Sequence, residues 1–460
     1  MSTRPTWPPP VHVAWVGSYL IATVAQRLRR QRPLSSREAV GAPSGRPDNS
    51  YGCGRDADGS PSPAPLAEVL TPDLVADNAT LLAEWQRRAE TSPTIYRLYH
   101  SPIWWEHLRA TRGADALRLV VVRESDGRIS AIVPCELRKH RITRYVAGHH
   151  LTLGQSQGFD LLASEPLADD RPEVFDAIIR GMWQAFPGID ICRLKSVSAS
   201  SPFWRFLNGP DLKSTPALVV NDGDFRGFYS IHLPRGWAEY LTRFNSKQRN
   251  DLQRKHRLLS KHLGSGVTFR RLTAPADVDE LYGDMALVAE RARFRPGRKL
   301  PARANLLDAA KRGLLRSYVL YGGNLPLAYV IGYQAFDVYH YSDVAFSDDV
   351  ARLSPGTVLL FHVIQDVCED RPAHWFNFGL GGAEYKRRFC NVTSRDATTY
   401  VLLPTHRNRL LALSLRGLNF ARRLRKGGPV RQPGSSADDT LESAPPAGGA
   451  SDVYDPSAIS

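Results

Sequence analysis

Between about residue 80 and residue 403 the apolar positions of this chain switch repeatedly between a 3.6-residue and a two-residue period. Leu81–Glu90 and Pro102–Arg109 read as short amphipathic helices. Leu117–Val122 reads as a strand, Ser125-Asp126-Gly127 as a turn and Ile129–Pro134 as the returning strand. Strand material continues at Ile142–Ala147 and Phe159–Leu162, followed by a helix over Glu173–Phe186 and a buried strand over Ile189–Lys195. A second pass then begins. Trp237–His262 predicts one long basic helix, Val267–Leu272 a strand, and Ala276–Arg293 and Pro301–Arg312 two helices. Ser317–Tyr321 and Leu327–Tyr333 predict a hairpin about Gly322-Gly323-Asn324, and Val338–Ala345 a third strand. Thr357–Glu369 predicts a helix, His374–Phe378 a buried strand, Ala383–Phe389 a short helix and Thr398–Leu403 a last strand.

The two passes share one order: helix, helix, hairpin, strand, helix, strand. Their hairpins, LRLVVVRESDGRISAIVP and RSYVLYGGNLPLAYVIGY, match best. This predicts a duplicated α/β (α+β) unit with a mixed sheet, as two similar domains side by side over residues 66–235 and 236–405. Ligands in such sheets collect at strand carboxyl ends, beside helix N-termini.

Composition changes the picture at the ends. Residues 1–65 and 427–460 are rich in Pro, Gly, Ser, Asp and Ala without apolar period, which predicts disordered tails. Val11–Ala25 is mildly apolar, but Arg27, Arg29, Arg30 and Arg32 follow it rather than precede it. That is the wrong order for a secretory signal, and the run is short for a span, so a weakly membrane-touching tail is expected. Five cysteines without zinc spacing suit buried, reduced thiols in a cytoplasmic protein and predict no metal site. The net charge of +14 calls for an anionic partner: nucleic acid, an acidic membrane or a phosphate-bearing molecule.

Four stretches carry candidate chemistry. In Arg352-Leu353-Ser354-Pro355-Gly356-Thr357 a strand gives way to an apolar helix. Arg352, Ser354, Gly356 and Thr357 would form a pyrophosphate cradle at that helix start; an ordinary helix capped by Ser354 reads equally from the same residues. In Phe376–Phe389 a strand runs into Gly379, Gly381 and Gly382, and Lys386 is expected at that edge. The basic residues of 243–261, Lys247 and Arg249 among them, would wall a cleft for a phosphorylated substrate or RNA, or merely face solvent. Residues 406–426 form a basic helix suited to an anionic membrane, or to packing on the second domain.

Taken in order, RFNSKQRNDLQRKHRLL, YVIGYQAFDVYHYSDVAF, LSPGTVLL and FNFGLGGAEYKRRF resemble the GNAT-type family of CelD/BcsL-like acetyltransferases of polysaccharide biosynthesis, related to FemAB-type aminoacyl transferases. The resemblance covers roughly residues 70–405. It implies two tandem GNAT-like modules, with the second using acyl-CoA (acetyl-CoA) as a co-substrate rather than a tightly bound cofactor. The loop carries one glycine where that family usually has two. The implied reaction is direct acyl transfer to an amine or hydroxyl, on a phosphorylated or carboxylated small molecule or glycan. Asp343 would be the base, sharing a strand face with Tyr339 and Tyr341 by alternation. Tyr385 would be the acid toward the leaving thiolate. Lys247, Arg249 and Lys386 would bind the acceptor. A charged-tRNA donor, as in the FemAB relatives, and a non-catalytic scaffold at a membrane glycan synthase are the alternatives.

Overall fold

The computed structural model describes residues 64–425, apart from 147–148, 215, 265, 293–298 and 371–372. The tails expected at 1–65 and 427–460, and the apolar run at 11–25, lie outside the described residues except for positions 64–65.

The first half begins with β1 (Leu66–Leu70), absent from the sequence expectation. Helices α1 (Pro72–Ala76), α2 (Ala79–Thr91) and α3 (Pro102–Arg112) follow. Their starts are set locally: the Asn78 side chain accepts from Leu81 N, and Ser101 caps α3 ahead of Pro102. β2 (Leu117–Arg123) pairs with β3 (Ile129–Val146), and β3 with β4 (His149–Leu161). The strand pieces expected at 142–147 and 159–162 are thus parts of one long hairpin. After β5 (Leu167–Ala168) come α4 (Pro172–Ala185), β6 (Ile191–Ser198), α5 (Pro202–Asn208), β7 (Leu218–Asn221) and β8 (Arg226–His232).

The long helix expected over 237–262 is two helices, α6 (Trp237–Thr242) and α7 (Ser246–Leu263). Asn245 divides them. Its side chain accepts from Gln248 N while the Gln248 side chain accepts from Asn245 N, a reciprocal cap that starts a new helix. The second half continues with β9 (Val267–Leu272), α8 (Val278–Glu290), α9 (Arg303–Lys311), β10 (Ser317–Gly322), β11 (Leu325–Ala335) and β12 (Val338–Phe346). It closes with α10 (Pro355–Glu369), β13 (Trp375–Leu380), α11 (Glu384–Phe389), β14 (Val392–Leu402) and α12 (His406–Arg425).

Twelve strands run in the order β1-β2-β3-β4-β6-β14-β8-β13-β12-β11-β10-β9, with β5 and β7 beside β3 and β14. The order reads alike from both ends. Five strands of each half flank a central pair, and that pair is exchanged: β14 of the second half lies on β6, and β8 of the first half lies on β13. The two passes therefore share one continuous mixed sheet, where the sequence suggested two similar domains side by side. Only β4–β6 and β12–β13 pair in parallel among the neighbours of this path.

One side of the sheet packs against a single apolar cluster drawn from both halves: Leu81, Trp85, Trp104 and Trp105 from α2 and α3, with Leu281, Met285, Leu306 and Ala309 from α8 and α9. Separate clusters lie under α4 and α5, and under α7 and α10. Helix α12 rests mainly on strands of the first half, and on β14 from the second. Ala412 and Leu415 bury against Val220, Tyr400 and Ile142, and Arg416 donates to Val219 O. Cys135, Cys192, Cys368 and Cys390 are free and buried. Among the described residues no helix is long and apolar enough to cross a membrane.

Candidate active site

Strands β12 and β13 pair over only three positions, Val338–Trp375, Tyr339–Phe376 and His340–Asn377. Beyond these, β12 runs on to Phe346 and β13 to Leu380 without pairing with each other. Gly379 helps to open this fork: its φ of +72° suits glycine, and its N–H bonds the Asn377 side chain at 2.8 Å. A fork of this kind leaves backbone N–H and C=O groups of β12 facing the gap, ready for an extended ligand.

Helix α10 follows β12 after a short 3-10 turn over Asp348–Leu353. Ser354 is left-handed, with φ 58° and ψ 50°, and its carbonyl accepts from Thr357 N and Val358 N at 3.0 and 3.1 Å. Its side chain makes no cap, contrary to the capped-helix expectation. Gly356 brings the first turn close to the strand, since a Cβ there would lie 3.2 Å from the Phe346 ring. The first turn has no acidic residue, and Arg352 is exposed just ahead of it. A positive helix end with an adjacent guanidinium favours an anion. Beside it, α7 and α10 border a groove of about 380 Å³ lined by Lys255, His256, Arg257, Thr357, Phe361 and His362. The His362 ring stacks on Phe269 at 5.3 Å, and burial together with His256 pulls its pKa down to about 4. Neither histidine carried a signal in the sequence, because they meet only when α7 packs on α10.

Tyr385 stands on α11 in an aromatic group, 6.3 Å from Tyr341 and 6.1 Å from Phe378 between ring centroids. Burial, followed by the neighbouring Tyr385 and Tyr339, raises the Tyr341 phenol well above its ordinary pKa. Asp343 does not share the face of Tyr339 and Tyr341. The register runs Gly332–Tyr341 and then Ile331–Asp343, so a bulge at Ser342 breaks the alternation. Asp343, 2% exposed, falls on the face of Ile331. Ile331 belongs to the cluster shared by both halves, whereas Tyr339 and Tyr341 belong with α10. Asp343 and Tyr385 thus approach the fork from opposite sides of the sheet.

The expected basic wall does not assemble. Lys386 Nζ donates to Phe378 O and Leu380 O at 2.8 and 3.1 Å, turned back onto the end of β13. Burial, with Arg226 adding repulsion, lowers its pKa to about 8. Arg249 donates to Phe244 O across the α6–α7 turn, and Lys247 is exposed on α7. No bond joins these three among the described residues. Arg388 instead ties α11 to α7 through Asp251 at 3.1 Å.

Residues 246–387 match the acetyltransferase (GNAT) domain family. No curated protein matches the chain. Among solved structures it is similar to FemX, at 11% identity over 73% of this chain and 98% of that one, with a TM-score of 0.49. It is also similar to L-PGS from Bacillus licheniformis, at 12% identity over 69% and 96%, with a TM-score of 0.41. A GCN5-related N-acetyltransferase from Kribbella flavida matches at 11% identity over 74% and 72%, with a TM-score of 0.33. The segment matched by that family builds α7, the fork and the start of α10.

Proposed function

We propose that the protein transfers an acyl group from an activated donor at the β12–β13 fork to an amine or hydroxyl. The observation that carries this reading is the union of an open strand fork with a helix N-terminus free of acidic residues. The anionic tail of the donor would sit by Arg352, Ser354, Gly356 and Thr357, and its acyl end would reach into the fork. The acceptor attacks the acyl carbonyl, a bond forms to its nitrogen or oxygen, and the bond to the leaving group breaks. Asp343 takes the acceptor's proton from one side of the sheet. Tyr385 protonates the leaving group from the other.

Two donors suit this arrangement: acyl-CoA, acetyl-CoA included, and a charged tRNA. The second is favoured by α7, where exposed Lys247, Arg254, Arg257 and Lys261 spread from residue 247 to residue 261. At 1.5 Å per residue that is roughly 21 Å, longer than one pyrophosphate needs. A phosphorylated or carboxylated acceptor in envelope glycan or lipid synthesis, with peripheral contact to an anionic membrane through α12, completes the reading. Titrations with acetyl-CoA and with aminoacylated tRNA decide the donor. Arg352→Glu should weaken the true donor at least tenfold, since a charge-assisted phosphate contact contributes about 1.5–3 kcal/mol. Tight binding of neither donor would favour a non-catalytic scaffold.

A further inference from the structure

The first half has a fork of its own at the matching place in the strand order. There β4 and β6 pair only at Phe159–Cys192 and Asp160–Arg193. Its helix start differs from that of α10: Asp169 and Asp170 precede α4, and Glu173 lies in the first turn. Those carboxylates would repel the anionic tail of a donor, so this is not a second copy of the α10 site. The positive charge sits inside the fork instead, on the other side of the sheet.

Asp160 is fully buried and held by Arg193 at 3.1 and 2.7 Å, by His140 at 2.9 Å and by Lys195 at 3.5 Å. Glu136, directly opposite Asp160 on β3 and 2% exposed, meets Arg138 at 3.0 Å and Arg112 at 3.4 Å. Four cations therefore surround two carboxylates, an excess of two positive charges. The neighbouring Arg144–Asp222 pair balances itself. Arg112 and Arg138 keep only 11% and 12% of their side chains exposed, and Arg112 Nε and Nη2 have no hydrogen-bond partner among the described residues. Buried cations and buried N–H groups left without acceptors are costly. Arg193 and Lys195 stay about a quarter open, at 23% and 25%, which leaves a way in. Burial alone would raise the Asp160 carboxyl, but Lys195, His140 and Arg193 together hold it far below its ordinary range, so it stays an anion. Taking a proton would only enlarge the positive excess.

We infer that Arg112, Arg138, Arg193 and Lys195 form a binding site for the phosphate or pyrophosphate group of a soluble ligand. A phosphate dianion balances the excess charge, and a single carboxylate does not. Glu136 lies opposite Leu117 of the shared apolar cluster, as Asp343 lies opposite Ile331 of that cluster, so both stand on the side of the sheet away from α10. This is the acceptor side. The ligand is thus the phosphorylated acceptor, an assignment that rests on the transferase reading, while the anion site itself does not.

The test is calorimetric titration of the full-length protein with inorganic pyrophosphate, in an Arg352→Glu background that silences the α10 helix start. Pyrophosphate should bind there, and Lys195→Met or Arg138→Gln should each weaken it tenfold or more. In Lys195→Met, Asp160 keeps Arg193 and His140, so the variant should fold; circular dichroism checks this. Affinity unchanged by both substitutions, or no binding in the Arg352→Glu background, overturns the site. Binding to phosphatidic acid vesicles without binding to pyrophosphate overturns the soluble ligand. If donors fail to bind while pyrophosphate binding still depends on Lys195, the transferase reading falls and the anion site stands.

Discussion

Lys386 shows how burial replaces one role with another. From the sequence it follows a glycine turn at a strand end, where ligands collect; in the fold it satisfies two carbonyls of its own strand. Its folded pKa of about 8 lies below the ordinary 10.5. Between those values the unfolded chain binds more protons than the native one, so stability rises with pH through that window and is lost again as pH falls to about 8. Urea midpoints of wild type and Lys386→Met, compared at pH 7.5 and 9.5, should show the wild type gaining on the variant at the higher pH. Parallel curves would mean that the ammonium is better solvated than its contacts indicate. Gly332 is a second decisive residue, opposite Tyr341 where the bulge turns Asp343 to the other face. A Cβ at Gly332 would lie 2.6 Å from Arg316 O and collide with the Tyr339 hydroxyl. Gly332→Ala should therefore destabilise the protein by about 1–3 kcal/mol in chemical denaturation; a neutral result would show that β11 can shift. The sequence reveals the residue types at both positions. It does not reveal the one extra residue that changes the face of Asp343, because alternation is blind to bulges.

At the scale of elements, helix α12 has two faces. Ala412 and Leu415 face inward, while Leu410, Leu413, Phe420 and Leu424 form one outer stripe, each more than half exposed. Arg407 and Arg409 share this helix with the stripe, and the helix contains no acidic residue. A helix of this make lies flat on an anionic membrane surface. The double variant Leu413→Glu, Phe420→Glu should lose binding to phosphatidylglycerol vesicles at least tenfold in co-sedimentation while keeping its fold. If the stripe joins two copies of the chain instead, the variant will change the oligomeric state and leave vesicle binding alone. Periodicity puts Leu411, Leu415 and Leu418 on one face of this helix, and of these Leu411 and Leu415 turn inward. β7 is short, and its apolar positions are too few to show a period, so the part of the floor around Val220 on which α12 rests was invisible beforehand. The same holds for the cationic cluster of the first fork. Its members come from α3, β3 and β6, far apart in sequence, and only the long β3–β4 hairpin brings Glu136 beside Asp160.

For the whole molecule, the exchange of β8 and β14 decides how the halves depend on one another. The repeated order of elements was visible in the sequence because local periods survive duplication. The exchange was not, since a strand's pattern says which face is buried and nothing about its neighbour. Residues 64–235 alone would carry β8 without β13 and leave β6 without β14, and residues 236–425 alone would have the converse defect. Expressed apart, each half should lack the native near-ultraviolet circular dichroism, and mixing them should restore it. A natively folded, stable fragment 64–235 would show that the exchanged strands add little. The exchange also sets a timetable on the ribosome. β6 ends at Ser198 and its partner β14 starts at Val392, so roughly 190 residues must be made in between. At roughly 5–20 residues per second that wait is about 10–40 s. Throughout it the newborn first half presents an unpaired strand edge to every other chain nearby. Whatever shields that edge during synthesis governs how much folded protein the cell obtains.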